Sequence, residues 1–287
     1  MTKIAARPSL RLRANRGLHF FFSVFLAAGV GMMRATAHET WLLPGGAELE
    51  PGRTVEFLMT SGMGFPALGA GIDRSRILDA VLMQGAERQN LVPSNAFKEA
   101  LELSAVPGPG LACSWVQLRP RILEIPEKDS VEHYLGEIGA GDEVYEIWRS
   151  QGEGSLWRES YGKLARNYLV VGERADAGEA GCISERSAAR FDILPLSDPT
   201  ELSSGDALEI QVLFDTKPLA GQAIGFVREG ASPEELVRSD AEGRVRLTIR
   251  GSGLHMIYAT NLRRASRAED FNWESDFVTL SFNVEDL

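Results

Sequence analysis

Short apolar and β-branched runs, separated by turn-forming residues, recur through residues 190–287. Asp198-Pro199 and Ser204-Gly205-Asp206 are two of these turn signals. Several short strands at this spacing are typical of an immunoglobulin-like or transthyretin-like β-sandwich. We therefore predict a sandwich domain over residues 190–287. Its predicted strands are 191–195, 207–214, 222–228, 244–250, 254–260 and 277–284.

Residues 38–172 have the same β character with one interruption. Residues 55–59 alternate between apolar and more polar side chains, as in a strand with one buried face. In residues 127–138 and 142–149, apolar side chains recur instead at spacings of three and four, which predicts two short helices. The sequence therefore predicts a mostly β protein, in which a β-rich N-terminal domain with a short helical insertion precedes the sandwich.

The N-terminal segment has the pattern of a secretory signal peptide. It holds six of the chain's 30 Lys and Arg residues and none of its 40 Asp and Glu residues, and its apolar run ends in Ala35-Thr36-Ala37. We predict cleavage after Ala37, hence a periplasmic protein without a membrane span; Arg34, near the cut, favours the alternative of an uncleaved anchor. The predicted organisation is a signal peptide at 1–37, a β-rich domain at 38–172, a polar linker at 173–189 and a sandwich at 190–287.

The charge of the mature chain restricts its partners. Without residues 1–37, 24 basic and 40 acidic side chains remain, a net charge of −16. Such a balance argues against nucleic acid or anionic lipid as a partner, because both are polyanions. It is compatible with cation binding and equally with an ordinary soluble surface.

The two cysteines, Cys113 and Cys182, both lie in the predicted mature chain. In an oxidising compartment, a lone pair is more typical of a disulfide than of two free thiols. Neither cysteine belongs to a Cys-x-x-Cys motif or lies beside a histidine, so a catalytic or metal-thiolate role is the weaker interpretation. We predict a Cys113–Cys182 disulfide that tethers the two halves of the protein.

Cleavage after Ala37 would make His38 the first residue of the mature protein. An N-terminal histidine offers a metal ion both its α-amine and its ring nitrogen, and imidazole suits nickel, copper and zinc. Copper has the highest intrinsic affinity for such donors, so ligand chemistry alone does not select one metal. The alternative is that His38 merely begins a paired strand. The candidate metal ligands are His38, Glu39, His255 and Glu274.

A second histidine, His133, lies one helical turn before Glu137 on the first predicted helix. A His/Glu pair at this spacing could clasp a metal ion. Since no second ligand pair supports it, a surface histidine near an ordinary acid is the preferred interpretation.

Several segments, taken in order, resemble a family of exported bacterial proteins described as nickel/cobalt uptake periplasmic components or as a domain of unknown function. The resemblance covers essentially the whole mature chain, and it implies a periplasmic β-rich protein that presents Ni²⁺ or Co²⁺ to a membrane importer. Family members often carry a second histidine late in the next-to-last strand, where this chain has Thr260 and Asn261, so His255 is a displaced ligand or a core residue. The segments are His38–Leu42, Trp157–Val171, Phe191–Pro199, Ser204–Asp206, Phe214–Leu219, Ser239–Val245, Trp273–Ser275 and Thr279–Phe282.

Three functions remain open from the sequence. The first is metal binding or delivery, with nickel or cobalt as cargo and copper or zinc not excluded. The second is a non-catalytic module that binds a protein or glycan through its sandwich. The third is a copper oxidase in which His38 and His255 form a histidine brace. An enzyme is the least favoured, because the role of His255 is open and the sequence indicates no substrate cleft. Neither Gly-x-Ser-x-Gly nor His-Glu-x-x-His occurs, so a nucleophilic hydrolase and a zinc protease have no support either.

Overall fold

The computed structural model describes residues 39–46, 49–152, 155–173, 179–266 and 270–285. The predicted signal peptide and His38 lie outside these ranges. Most of the described residues form strands, and two helices, α1 (Lys128–Glu137) and α2 (Asp142–Ser150), stand between β8 and β9. The prediction of a mostly β fold with a short helical insertion is confirmed. The strands are β1 Glu39–Pro44, β2 Val55–Gly62, β3 Ala70–Gly71, β4 Ile77–Gln84, β5 Glu87–Asn90, β6 Val92–Ala96, β7 Leu101–Ala105, β8 Gly110–Ile125, β9 Trp157–Val171, β10 Phe191–Pro195, β11 Ala207–Phe214, β12 Lys217–Pro218, β13 Ala223–Arg228, β14 Val237–Arg238, β15 Arg244–Thr248, β16 Gly253–Arg264 and β17 Trp273–Val284.

The strands form three layers around a long central sheet. That sheet has the order β14-β13-β16-β17-β9-β8-β4-β5, and smaller sheets built on β1-β2-β7-β6 and β10-β11-β12 cover its two faces. Alternate residues of one central strand therefore enter different cores. Cys113 and Trp115 of β8 pack toward β10 and β11, whereas Ala112 and Val116 pack toward β1 and β2. Both faces of the sheet are therefore buried where the two smaller sheets cover them.

The predicted C-terminal sandwich is present. Strands β10, β11 and β15 lie in one sheet and β14, β13, β16 and β17 in the other, which is the strand distribution of an immunoglobulin-like sandwich. Ile193 and Ile210 from the first sheet meet Phe226, Ile257 and Leu280 from the second. Burial of such aliphatic and aromatic side chains supplies the main stabilising free energy of the sandwich.

The second sheet of the sandwich does not end at β17. Strand β17 pairs in parallel with β9, so that Trp273 lies opposite Glu159 and Phe282 opposite Tyr168. Residues 38–172 and 190–287 therefore contribute strands to one hydrogen-bonded sheet. Whether the two regions are separate folding units stays a prediction.

The predicted disulfide is confirmed. Cys113 on β8 and Cys182 are joined with an S–S distance of 2.03 Å, and both residues are completely buried. Cys182 ends a short 3-10 helix, Glu179–Cys182, inside the predicted linker. The bond therefore fixes part of this polar segment to the central sheet.

A buried ion pair also joins the central sheet to the outer one. The guanidinium of Arg166, on β9, donates from Nε and Nη2 to the two carboxylate oxygens of Asp192, on β10, at 2.6 and 2.5 Å. The side-chain exposures are 0% and 5%. The indole ring of Trp115 lies 5.2 Å from the guanidinium carbon. Because the planar guanidinium makes two parallel hydrogen bonds to the carboxylate, this pair fixes the position of β10 relative to β9.

Strand β1 is held on the central sheet by side chains rather than by strand pairing. Thr279 and Ser281 of β17 donate from their hydroxyls to the backbone carbonyls of Thr40 and Leu42, at 2.6 and 2.8 Å. The ammonium group of Lys163, on β9, donates to the Thr40 hydroxyl at 2.9 Å. These bonds determine where the first described residue, Glu39, lies.

Candidate functional site

A cavity of about 350 Å³ opens beside the first described residue. It is formed by the beginning of β1, the loop after β2, the end of α1 and one face of β13 and β16. Two acidic side chains contribute to its wall, and most of the rest is apolar or aromatic. The lining residues are Glu39, Trp41, Gly62, Met63, Gly64, Phe65, Glu137, Val227, Ala231, Pro233, Met256 and Tyr258.

The carboxyl group of Glu39 is enclosed in this wall. Its Oε2 atom is buried and has no hydrogen-bond partner among the described residues. Burial raises the pKa of Glu39 to about 7; Lys163 opposes this shift and the negative charge of Glu137 adds to it. Burial likewise lowers the pKa of Lys163 to about 8, against the pull of Glu39. The Glu39 carboxyl therefore gains or loses its proton near neutral pH.

Trp41, which also lines the cavity, carries a second unsatisfied polar atom. Its side chain is fully buried, and its indole Nε1–H has no acceptor within the described ranges. Phe65 packs edge-on against the indole with ring centroids 5.7 Å apart. Two residues of the cavity wall thus contain a buried acceptor and a buried donor without partners among the described residues. Buried polar atoms of this kind are normally paired, so each calls for an explanation.

Helix α1 contributes a carboxylate to the cavity, and a histidine pairs with that carboxylate. Glu137 lines it, and His133 Nε2 lies 3.1 Å from Glu137 Oε1. The predicted i, i+4 pair therefore forms. The preferred interpretation of His133 as a surface residue is consistent with its exposure of 52%. The sequence did not indicate that Glu137 faces the cavity of Glu39.

A buried carboxylate anchors helix α1 to the central sheet. Glu159 accepts hydrogen bonds from the Tyr134 hydroxyl and the Trp157 indole, each at 2.8 Å, and from the Ser275 hydroxyl. The rings of Trp157 and Trp273 stack with centroids 4.5 Å apart. These contacts fix helix α1, which carries Glu137, to strands β9 and β17. The tryptophans of the Trp157–Val171 and Trp273–Ser275 segments are therefore core residues.

His255 does not reach the cavity. Its ring is completely buried between Phe226 and Phe282, with centroids 5.5 Å from each. Met256 and Tyr258 line the cavity, and since neighbouring side chains of a strand point to opposite faces, His255 enters the sandwich core instead. Nδ1 lies 3.0 Å from the Gly253 carbonyl oxygen, and burial lowers the His255 pKa.

Glu274 lies neither at the cavity nor beside His255. It forms an ion pair with Arg263 at 3.1 Å on the neighbouring strand. His255 lies opposite Phe282 in the sheet, and Phe282 is eight positions after Glu274 along β17. In an extended strand this spacing separates Glu274 from the position of His255 by about 27 Å. The structure therefore does not bring Glu39, His255 and Glu274 together. In the described part of the chain, no group of three His, Cys, Asp or Glu side chains could hold a metal ion.

Comparison with known proteins identifies the family. The family described as "Domain of unknown function (DUF4198)" matches residues 35–263. The chain belongs to the DUF4198 family. The family description names neither a metal nor a transport role. No curated protein matches the chain.

Two solved structures are similar to this DUF4198 chain over most of its length. The D0-D1 domain of intimin is 12% identical with a TM-score of 0.20, and the match covers 85% of this chain and 97% of that one. A tetra-tandem repeat in the extending region of a large adhesion protein is 12% identical with a TM-score of 0.22, covering 86% of this chain and 50% of that one. At these TM-scores the similarity carries no functional argument. No helix in the described ranges is long and apolar enough to cross a membrane.

Two side chains near Glu39 in this DUF4198 protein, Lys163 and Tyr258, were not among the residues singled out from the sequence, and Glu137 was singled out only as a partner of His133. Lys163 belongs to the Arg-Glu-x-Tyr-x-Lys segment, and its position in a long strand was the available signal. Tyr258 carried no signal, because it looks like an ordinary strand residue. Only the packing of β1 on the central sheet joins them to Glu39.

The raised pKa of Glu39 makes the stability of this DUF4198 protein pH-dependent. Between pH 4.5 and about 7 the unfolded carboxyl loses its proton before the folded one does, so the unfolding free energy falls as pH rises. We expect a loss of up to about 3 kcal/mol over this window. Glu39→Gln should remove most of this decrease in unfolding free energy, as measured by denaturant unfolding at pH 5, 6 and 7. Glu274→Gln is the control and should keep the wild-type slope. An unchanged slope in Glu39→Gln would show that Glu39 does not titrate here.

Proposed function

We propose that this protein is a periplasmic carrier that binds a transition-metal ion, Ni²⁺ or Co²⁺, at the mouth of the Glu39 cavity for uptake by a membrane importer. One observation carries the proposal. Glu39, which directly follows the predicted mature N-terminal residue, lines the same cavity as Glu137, and Glu137 is paired with His133. The two carboxylates, and the imidazole paired with Glu137, support a ligand set near the place where the new N-terminus would begin.

The chemistry of these donors fits a divalent transition metal. The His38 amine and ring would supply two nitrogens, and the buried Glu39 Oε2 is an acceptor that lacks a partner in the described chain. Glu39, Glu137 and His133 do not form a three-ligand group by themselves, so the proposed site depends on the two nitrogens of His38, with Glu137 or His133 as a further donor. Mixed imidazole and carboxylate sets bind nickel, cobalt and zinc, and copper more tightly still, so selection among these metals would depend on supply. His255 and Glu274 are left out because each lies at another place in the fold.

A carrier role suits the surroundings of this ligand set. The cavity is open to solvent, and the predicted mature chain carries a net charge of −16, which attracts cations. The metal is cargo in this proposal, and the chain's own part is to bind it and release it. The importer is identified only by the resemblance of the sequence to uptake components.

The proposal is tested by calorimetric titration of protein that begins at His38 with Ni²⁺, Co²⁺, Cu²⁺ and Zn²⁺. An alanine placed before His38 removes the amine chelate, and Glu39→Gln removes the adjoining carboxylate. Each change should weaken binding about ten-fold or more. Mass spectrometry of the intact exported protein establishes that the chain does begin at His38.

Glu274→Gln is the matched control for this titration, because it removes an equally acidic side chain that is paired with Arg263 away from the cavity. It should bind metal as the wild type does. Equal, weak binding by the wild type, the extended protein and Glu39→Gln would overturn the metal proposal.

A further inference from the structure

The Glu39 cavity is larger and more aromatic than a site for a single metal ion requires. It is walled by Trp41, Phe65 and Tyr258 as well as by the two carboxylates, and it encloses about 350 Å³. Pockets of about 300–1,000 Å³ with mainly apolar walls and a few polar atoms are typical of small-molecule sites. We propose that this cavity binds a small organic ammonium compound with an apolar body and an oxygen acceptor. This site does not require the metal.

The charges in the cavity favour a cation. Glu39 and Glu137 both contribute carboxylates to the wall, and the Glu39 Oε2 atom is buried without a hydrogen-bond partner among the described residues. A ligand ammonium that donates to Glu39 Oε2 would pair this buried acceptor through a charge-assisted hydrogen bond. A carboxylate or phosphate ligand would be repelled.

The aromatic wall favours an organic cation over a hydrated inorganic one. The faces of tryptophan, tyrosine and phenylalanine attract ammonium groups and also pack against apolar atoms. Met256, which is buried, extends this apolar wall. A hydrated ion would gain nothing from such surfaces, but an amine with a ring or a short alkyl body would bury its own apolar area there.

The indole of Trp41 adds a further requirement. An indole Nε1–H donates but cannot accept, so neither a metal ion nor an ammonium group can satisfy it. Since it is buried and has no acceptor in the described chain, the complementary ligand carries an oxygen that can accept this bond. An ammonium group, a compact apolar body and an oxygen acceptor together define the ligand class.

Tyramine combines these three features and serves as the probe, with two matched compounds. Phenethylamine lacks the oxygen, and 4-hydroxyphenylacetate carries a carboxylate in place of the ammonium. Calorimetric titration in the presence of EDTA excludes any contribution from metal ions. We expect tyramine to bind, phenethylamine to bind several-fold more weakly, and the carboxylate to bind about ten-fold more weakly or not at all.

Variants test whether the cavity is responsible. Glu39→Gln should weaken tyramine about ten-fold, because the charge-assisted bond is lost. Trp41→Phe keeps an aromatic ring but removes the N–H, so it should abolish the preference for tyramine over phenethylamine. Ala231→Phe fills the rim from an exposed position, and it should weaken both amines even if Trp41→Phe fails to fold.

The outcomes separate this site from the metal site. Amine binding in EDTA by a protein that binds no metal would support the organic site and reject the metal proposal. Metal binding without amine binding would support the metal proposal and reject the organic site. No tyramine binding by the folded wild type, equal affinity for the carboxylate probe, or unchanged binding by both Glu39→Gln and Ala231→Phe would overturn the inference.

Discussion

Asp192→Ala should destabilise the protein by about 3–5 kcal/mol, because it leaves the buried Arg166 guanidinium without its counter-charge. The side chain of Arg166 has no solvent exposure, so water cannot replace the two lost carboxylate bonds. Asp192 also accepts hydrogen bonds from the Ser187 backbone and hydroxyl, at 3.2 and 3.0 Å. The substitution therefore breaks a network between the central and outer sheets. Denaturant unfolding at neutral pH measures the change.

A matched control exists on the surface. Asp215 pairs with Arg190 through two bonds of 2.7 Å, but both side chains are about half exposed. Asp215→Ala should have a much smaller effect, since exposed ion pairs contribute little. Replacing both Arg166 and Asp192 with apolar residues should recover part of the lost stability, because no unpaired charge then remains buried. The explanation is wrong if Asp192→Ala and Asp215→Ala destabilise equally.

The second large effect is expected from Cys113→Ala/Cys182→Ala. The bond closes a loop with a sequence separation of 69 residues, and the chain-entropy relation gives a stabilisation of about 4 kcal/mol for such a loop. Both sulfurs lie in the core beside Trp115 and Tyr168, so the double substitution also removes buried volume. Thermal and denaturant unfolding should both show the loss.

Reduction of the wild type distinguishes the cross-link from the packing. Unfolding in dithiothreitol opens the bond without removing the sulfur atoms, so the reduced protein should lie between the oxidised wild type and the double variant in stability. A double variant as stable as the oxidised wild type would show that the cross-link contributes nothing.

Local features of this fold could be predicted where one short pattern decides the structure. The alternation at residues 55–59 predicted a strand, and β2 buries Val55, Phe57 and Met59. The three-and-four spacing after residue 126 predicted two helices, and α1 and α2 lie within one or two residues of the predicted bounds. The disulfide followed from the number of cysteines and the expected compartment. Each of these depends on short-range chemistry or on simple counting.

The candidate site could not be predicted in the same way. Both faces of the central sheet are buried, so alternation along β16 could not indicate that His255 enters the sandwich while Met256 and Tyr258 line a cavity. Glu39, Glu137 and Lys163 lie far apart in sequence, and they meet because β17 holds β1 against β9. Such contacts depend on tertiary packing, which periodicity does not record.

The place of β17 within the central sheet has a consequence for the order in which the molecule can be assembled. This strand lies between β16 and β9, and its hydroxyls hold β1. A chain emerging from its N-terminus would therefore expose the open edges of β9 and β16 until residues 273–284 had appeared. The cavity beside Glu39 would be completed at the same moment, so a molecule released before that point would lack this cavity as well as its central strand.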